Sequence, residues 1–305
     1  MTSLKLEPSR AIAMFKQSLA QAKDPVKDQA LMLLTPEGVK VAFQLAADVA
    51  AFADYQKSYF KQIDVADDPT LFADYAKLDA QSTEEDRIAF ITNHPNATQL
   101  IVATASFIKD RLKYGFKGDE LTLKIDSTKI FAIGATSDET LDETRAEVTK
   151  ELLEAKALYT TVPTDIGLGM TPSDEMATSG KPLYNIQALI TPSYFADLPS
   201  FENVIIETDG RTITMNFSDQ LGGRKRIIGG KDYPIKNYAV NNKPQPTPVQ
   251  TEPLKATFNM KMLTQLASIY EGDVWLSING GALVLSQKYP DYSLTYVLAA
   301  TDTPS

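Results

Sequence analysis

Gly272-Asp273-Val274-Trp275-Leu276-Ser277-Ile278 runs into Asn279-Gly280-Gly281 and then into Ala282-Leu283-Val284-Leu285-Ser286-Gln287. Two short apolar runs flank a glycine-rich turn, which predicts an antiparallel hairpin. Upstream, Leu254–Met260 reads as a strand that continues into a helix ending at Tyr270. In that helix Met260, Leu263, Ala267 and Tyr270 recur at helical spacing as an apolar stripe. Lys261, Gln265 and Ser268 face away from it. Downstream, Ser293–Ala299 reads as one more strand.

The same order of short helix, strand, tight turn and strand is legible four times. The first copy is Ile12–Leu19, Leu31–Leu34 and Val39–Leu45, and the second is Phe107–Leu112, Leu121–Ile125 and Ile130–Ile133. The third is Tyr194–Phe201, Val204–Thr208 and Thr212–Phe217, and the fourth is the stretch quoted above. Gly118-Asp119 and Gly272-Asp273 occupy the same place in the second and fourth copies. Two copies lie on each side of residues 159–182, which contain Pro163, Gly167, Gly169, Pro172, Gly180 and Pro182 and read as a linker.

Other elements follow from local signals. Ser9 is placed to cap a helix over 10–22. Pro36-Glu37-Gly38 joins Ala30–Thr35 to Val39–Leu45 as a hairpin turn, and Asp209-Gly210 is the sharpest hairpin signal in the chain. Residues 98–114 read as a helix starting at Thr98. Leu100, Thr104, Phe107, Ile108 and Leu112 take one broad face of it, and Lys109 and Lys113 the opposite one. Residues 64–97 read as a partly helical insertion, with His94 in a loop beside Pro95. Residues 138–158 are ambiguous between edge strand and helix, and 241–253 read as loop.

The chain has 305 residues, 43% hydrophobic and 23% charged, so it is long enough to bury a sizeable core, and its length suggests two domains. It has no cysteine and one histidine, which excludes disulfides, thiolate metal sites, cysteine nucleophiles and multi-histidine metal sites. No apolar run approaches the ~18 residues of a membrane span, and the N-terminus has no apolar signal region. A cytoplasmic protein is therefore expected. Ser179-Gly180-Lys181-Pro182 lacks the remainder of a P-loop, and Gly167-Leu168-Gly169 lacks the context of a dinucleotide site. There is no Gly-x-Ser-x-Gly, and the acidic cluster at 138–154 lacks EF-hand spacing. An enzyme is not expected, nor is a metal or cofactor.

The net charge is −9, but it is segregated. Residues 135–155 hold seven acids against Arg145 and Lys150, whereas Lys109, Arg111, Lys113 and Lys117 cluster in 105–118. Arg224, Lys225, Arg226, Lys231 and Lys236 cluster in 222–236. A partner feels these local fields rather than the global charge.

The fourth copy, the third copy and the linker position together resemble the sliding clamps, the ring-shaped processivity factors of DNA polymerases. The likeness is sharpest over 183–305 and looser over 10–158. It implies an α+β fold of two clamp-type domains, each a duplicated helix and sheet unit. They are an N-terminal domain over 1–158 with an insertion at about 64–97, a connector over 159–182 and a C-terminal domain over 183–305. The chain is longer than two-domain clamps of archaeal, eukaryotic or T4-like phage type and shorter than three-domain bacterial ones, which suits a phage or virus.

By this resemblance helices line a hole for duplex DNA and place cations against its phosphates without reading bases. Lys16, Lys23, Lys109, Lys113, Lys117 and Lys261 are the candidates on or beside helices, with Arg224, Lys225 and Arg226 in a loop or strand end at the rim. The same lysines are also readable as the solvated face of helices packed on a sheet. A dock for partner peptides is implied at Leu45, Val49, Ile166, Leu168, Ala282, Val297, Leu298, Ala299 and Ala300. Leu45 and Val297 are equally readable as core strand residues. The partners implied are double-stranded DNA, a DNA polymerase, an ATP-dependent clamp loader and further copies of the chain in a homotrimer. A structural or assembly protein with a duplicated α+β fold is the alternative.

Overall fold

The computed structural model of the chain describes residues 2–18, 29–46, 49–65, 83–94, 100–104, 118–125, 129–134, 138–143, 184–195, 203–219, 222–240, 243–279 and 281–301, together with 70, 74, 112 and 116. Two compact units are present. The first comprises Met1–Ala46, Ala50–Val162 and Tyr289–Ser293; the second comprises Ala47–Val49, Pro163–Lys288 and Leu294–Ser305.

The first unit begins with β1 (Thr2–Leu6), whose alternation buries Thr2, Leu4 and Leu6 on one face. β1 pairs with β5 (Gln62–Asp64) on one side and β7 (Leu121–Ile125) on the other. The sheet continues through β8 (Lys129–Gly134) to β9 (Asp138–Glu143). β2 (Gln29–Thr35), β3 (Gly38–Ala46), β4 (Val49–Gln56) and β6 (Leu100–Thr104) form a second set in the order β4-β3-β2-β6. Met32, Leu34, Val39, Val41, Phe52 and Tyr55 bury their side chains there. β2 and β3 are joined by Pro36-Glu37, with Thr35 opposite Gly38. Gly38 has a φ of +155°, and a Cβ there would collide with the Tyr55 carbonyl oxygen, so this position requires glycine.

The helix Pro8–Ser18 starts two residues before position 10, the start expected with Ser9 as its cap. Pro8 takes the first turn, where its missing N–H loses nothing, and the Ala11 N–H donates to the Glu7 carbonyl at 3.0 Å. Ser9 is thus inside the helix. A second helix, Glu84–Asn93, is fixed by a capping box. The Asp86 N–H donates to Thr83 Oγ1 at 3.2 Å and the Thr83 N–H to Asp86 Oδ2 at 2.8 Å. His94 stands just after this helix as its C-cap and is buried; its ring lies 4.8 Å from that of Phe90 and its Nε2 3.1 Å from Asp74 Oδ2.

The second unit contains β10 (Ile186–Ile190), β14 (Asn237–Val240), β15 (Lys243–Gln245), β17 (Val274–Ile278), β18 (Ala282–Lys288) and β19 (Tyr292–Ala299) in the order β15-β14-β10-β17-β18-β19. A four-stranded sheet runs β13-β12-β11-β16, built from β11 (Asn203–Thr208), β12 (Ile213–Asp219), β13 (Gly222–Ile228) and β16 (Leu254–Asn259). The four expected hairpins are all present as antiparallel pairs: β2–β3, β7–β8, β11–β12 and β17–β18.

Several expectations are corrected. Residues 100–104 are a strand, not a helix: Ile101, Val102 and Thr104 are β-branched, and the segment completes the ladder beside β2. Residues 138–143 are an edge strand. The 241–253 loop contains β15, paired with β14. Of the short helix expected over 192–201, Pro192–Phe195 is a 3-10 turn and the rest lies outside the described residues. Arg224, Lys225 and Arg226, expected in a loop or strand end, lie within the strand β13.

Candidate functional site

The helix Met260–Ala267 is the best-defined element among the candidates. Asn259 ends β16 and accepts from the Met262 N–H through Oδ1 at 3.0 Å, a side-chain N-cap. Met260, Leu263, Ala267 and Tyr270 are buried as the spacing predicts. They pack toward β11, β16 and the Pro192–Phe195 turn. The Tyr270 hydroxyl closes the far end by donating to the Leu285 carbonyl at 2.5 Å. Lys261 is exposed in the first turn. The helix dipole favours an anion there, so helix stability does not account for the cation.

The basic strand β13 presents its cations unequally. Arg224 stands opposite Phe217, Lys225 opposite Asn216 and Arg226 opposite Met215, so Arg224 and Arg226 share one face of the sheet and Lys225 takes the other. Arg226 donates to the Tyr194 carbonyl at 2.5 Å, and its guanidinium lies 4.7 Å from the centre of the Tyr233 ring. It is partly a structural residue. Arg224 and Lys225 are exposed. Lys255, 3.0 Å from Glu207, holds that carboxyl below its ordinary range, with a smaller contribution from Lys225 on the same face.

Lys16 lies in the helix Pro8–Ser18, but its side chain is outside the described residues. Lys23, Lys109, Lys113 and Lys117 are wholly outside them. The strand at 100–104 removes the first half of the amphipathic face on which Lys109 and Lys113 were placed.

Of the proposed dock, Ile166 and Leu168 lie outside the described residues, and Leu45 lies in β3 with its side chain undescribed. Val49 is buried, as are Val297 and Leu298. Ala282, Ala299 and Ala300 are half-buried. Ala300 and Ala282 are brought together by the backbone, since the Ala300 N–H donates to the Gly281 carbonyl at 2.9 Å. The next residue ties to β16, with the Thr301 N–H 2.8 Å from the Thr257 carbonyl.

Sequence reasoning missed a buried polar layer beside this region. Gln187 pairs with Ser277, and its Nε2 donates to Ser277 Oγ at 3.2 Å. Ser277 pairs with Val284, and Ser286 with Trp275, so these side chains share one face of the sheet. Gln187, Ser277, Ser286, Ser293 and Thr295 are all buried. Thr295 Oγ1 has no hydrogen-bond partner among the described residues. The available signal was the recurrence of small polar residues in otherwise apolar strands.

No cluster of potential metal ligands occurs among the described residues, and no described helix is long and apolar enough to cross a membrane. No family model matches the chain, and no curated protein matches it. Solved structures do. Proliferating cellular nuclear antigen (PCNA) from Entamoeba histolytica is 11% identical with a TM-score of 0.59, covering 99% of each chain. PCNA from Thermococcus kodakaraensis is 10% identical with a TM-score of 0.57, covering 98% of this chain and 100% of that one. A. fulgidus PCNA, solved with the C-terminal region of FEN-1 bound, is 8% identical with a TM-score of 0.58, covering 100% of both. At such identities the likeness is one of fold: the chain has the α+β, two-domain, clamp-type architecture of these sliding clamps.

Proposed function

We propose that this chain is a sliding clamp: a ring of three copies that encloses duplex DNA and tethers a replicative DNA polymerase. The observation that carries this reading is the end-to-end likeness to three clamp structures. The exposed Lys261 on the Met260–Ala267 helix supports it independently. The mechanism is topological. Enclosure replaces affinity, and a tethered polymerase that lets go rebinds at a high effective concentration. Cations on the DNA side touch phosphates only, so the contact slides.

In this reading the domains are 1–158, with an insertion at 64–97, and 183–305, joined by a connector over 159–182. Lys16, Lys23, Lys109, Lys113, Lys117, Arg224, Lys225, Arg226 and Lys261 face DNA. Leu45, Ile166, Leu168, Ala282, Ala299 and Ala300 receive partner peptides, while Val49, Val297 and Leu298, also expected in the dock, are buried in their strands. An ATP-dependent loader opens the ring, and no catalytic group is needed. The extra length favours a phage or viral source, acting in the host cytoplasm.

The test uses a closed and a linearised form of the same nicked duplex. After loading, a clamp is retained on the circle and lost from the line. Solution mass from light scattering should equal three chains of 33.5 kDa. Equal retention on both DNA forms would overturn the reading.

A further inference from the structure

Asn279 is the one asparagine of the chain that is followed by glycine. It ends β17, and its N–H donates to the Ala282 carbonyl at 3.0 Å across the turn into β18. Its side chain is held too. Oδ1 accepts from the Gly281 N–H at 3.0 Å and from the Ala282 N–H at 2.8 Å. An asparagine that bonds the backbone ahead of it curls forward along the chain, which brings its amide carbon, Cγ, toward the peptide that follows. Two N–H groups aimed at one carbonyl oxygen also stabilise negative charge on it, as an oxyanion hole does. The residue that follows, Gly280, carries no side chain to shield its amide nitrogen.

The turn between β11 and β12 is an internal comparison. Asp209 also precedes a glycine, and its Oδ1 accepts from the Arg211 N–H at 3.0 Å and the Thr212 N–H at 3.2 Å. There, however, the Gly210 N–H is committed to Thr208 Oγ1 at 3.1 Å. The Asp209 carboxyl is also held ionised by its backbone bonds, and a carboxylate resists a nucleophile. The two turns share the oxyanion donors, and only the Asn279 turn joins them to a neutral amide.

We propose that Asn279 is a site of self-catalysed deamidation, with water as co-substrate and ammonia as product. The Gly280 amide nitrogen gives up its proton to solvent and adds to Asn279 Cγ. The charge that gathers on Oδ1 meets the Gly281 and Ala282 N–H groups. The Cγ–Nδ2 bond then breaks, Nδ2 takes a proton from solvent and leaves as ammonia, and a cyclic imide remains. Water opens the imide at either carbonyl, giving aspartate or isoaspartate. Isoaspartate routes the main chain through Cβ and Cγ and so lengthens the turn by one carbon. Turn length fixes hairpin register, so Gly281 and Ala282 are displaced. The Ala300 N–H, which donates to the Gly281 carbonyl at 2.9 Å, then loses its acceptor. The modification thereby loosens the end of β19, whether or not the chain forms a ring.

The experiment ages the full chain at physiological temperature in mildly alkaline buffer, once folded and once unfolded in urea. Peptide mass spectrometry and an isoaspartate-specific methyltransferase read the product. Asn279 should exchange its amide for a carboxyl about tenfold faster in the folded chain, because only the folded turn supplies the two N–H groups. Over the same period the folded chain should gain no isoaspartate at Asp209. A reaction at Asn279 that is as fast or faster in urea would overturn the proposal. So would isoaspartate at Asp209 forming as quickly as at Asn279. The isoaspartate fraction, separated by anion exchange, should show hydrogen exchange at the Ala300 amide roughly tenfold faster than the unaged chain. Asn279→Asp, which has the charge of the product but the ordinary backbone, should leave that exchange unchanged. Unaltered exchange at Ala300 in the isoaspartate fraction would overturn the loosening of β19.

Discussion

The second and fourth copies of the repeat share their hairpins, but of the two only the fourth has its helix among the described residues. Both hairpins follow Gly-Asp, with Gly118 at a φ of +125° and Gly272 at +85°. Both pair as expected, Leu121–Ile125 with Lys129–Gly134 and Val274–Ile278 with Ala282–Lys288. Met260–Ala267 is a helix; of its counterpart Phe107–Leu112 only Leu112 is described, in helix, while Leu100–Thr104, read as the start of the same helix, is a strand. A hairpin is specified by a turn and two adjacent alternating runs. An amphipathic pattern is not equally decisive, because a β-branched run such as Leu100-Ile101-Val102-Ala103-Thr104 also suits a sheet edge. The 260 helix has a cap and no β-branched residue before Thr264; the 100 segment has neither advantage.

The largest expected effect is at the core of the fourth copy. Leu263 is fully buried, and Leu263→Ala should lower unfolding stability by about 2–5 kcal/mol in denaturant titration. A smaller loss would mean that the helix is peripheral to its sheet.

The shared turns are sharpened by Gly118→Ala and Gly272→Ala. A Cβ at Gly118 meets nothing within 4 Å, and one at Gly272 only touches Gln287 Nε2 at 3.6 Å. Each should therefore cost only the backbone strain, about 1–3 kcal/mol, and the two should agree. Unequal losses would show that the turns are not equivalent.

Asn259→Ala removes the side-chain cap of the fourth copy's helix and should cost about 1 kcal/mol by thermal unfolding. In the third copy the turn is held by Asp209. Its Oδ1 accepts from the Arg211 N–H at 3.0 Å and the Thr212 N–H at 3.2 Å, and these bonds hold its carboxyl below the usual range. Because the folded pKa is depressed, this contribution is present above the unfolded pKa and lost as pH falls through the folded one. Asp209→Ala should destabilise by roughly 1 kcal/mol at neutral pH, and the difference should vanish in acid.

The smallest effect has the opposite sign. Thr295→Val replaces a buried, unpartnered hydroxyl with a methyl group of the same shape and should raise stability by about 1 kcal/mol or less. A loss instead would mean that Oγ1 is satisfied, for instance by water.

Much of this was legible locally. The hairpins at 36–37 and 279–281, the apolar stripe of Met260, Leu263, Ala267 and Tyr270, and the segregation of charge all appear in the chain as written. β1 was missed although Thr2, Leu4 and Leu6 alternate, because five residues give a weak signal without their partners β5 and β7. The burial of His94 is not legible locally, because one of its neighbours, Asp74, lies twenty positions away in the chain. The dual nature of the basic cluster was also hidden: Arg226 is drawn inward by Tyr194 and Tyr233, while Arg224 and Lys225 stay exposed.

The sequence by itself determined the periodicities, the turns and the signs of charge, since these depend on neighbours within a few residues. The tertiary structure alone decided that Leu100–Thr104 is a strand, that β9 and β13 end their sheets, and which cations remain exposed. Those outcomes depend on hydrogen-bond partners and packing surfaces that distant segments supply, and no local pattern encodes which segment arrives.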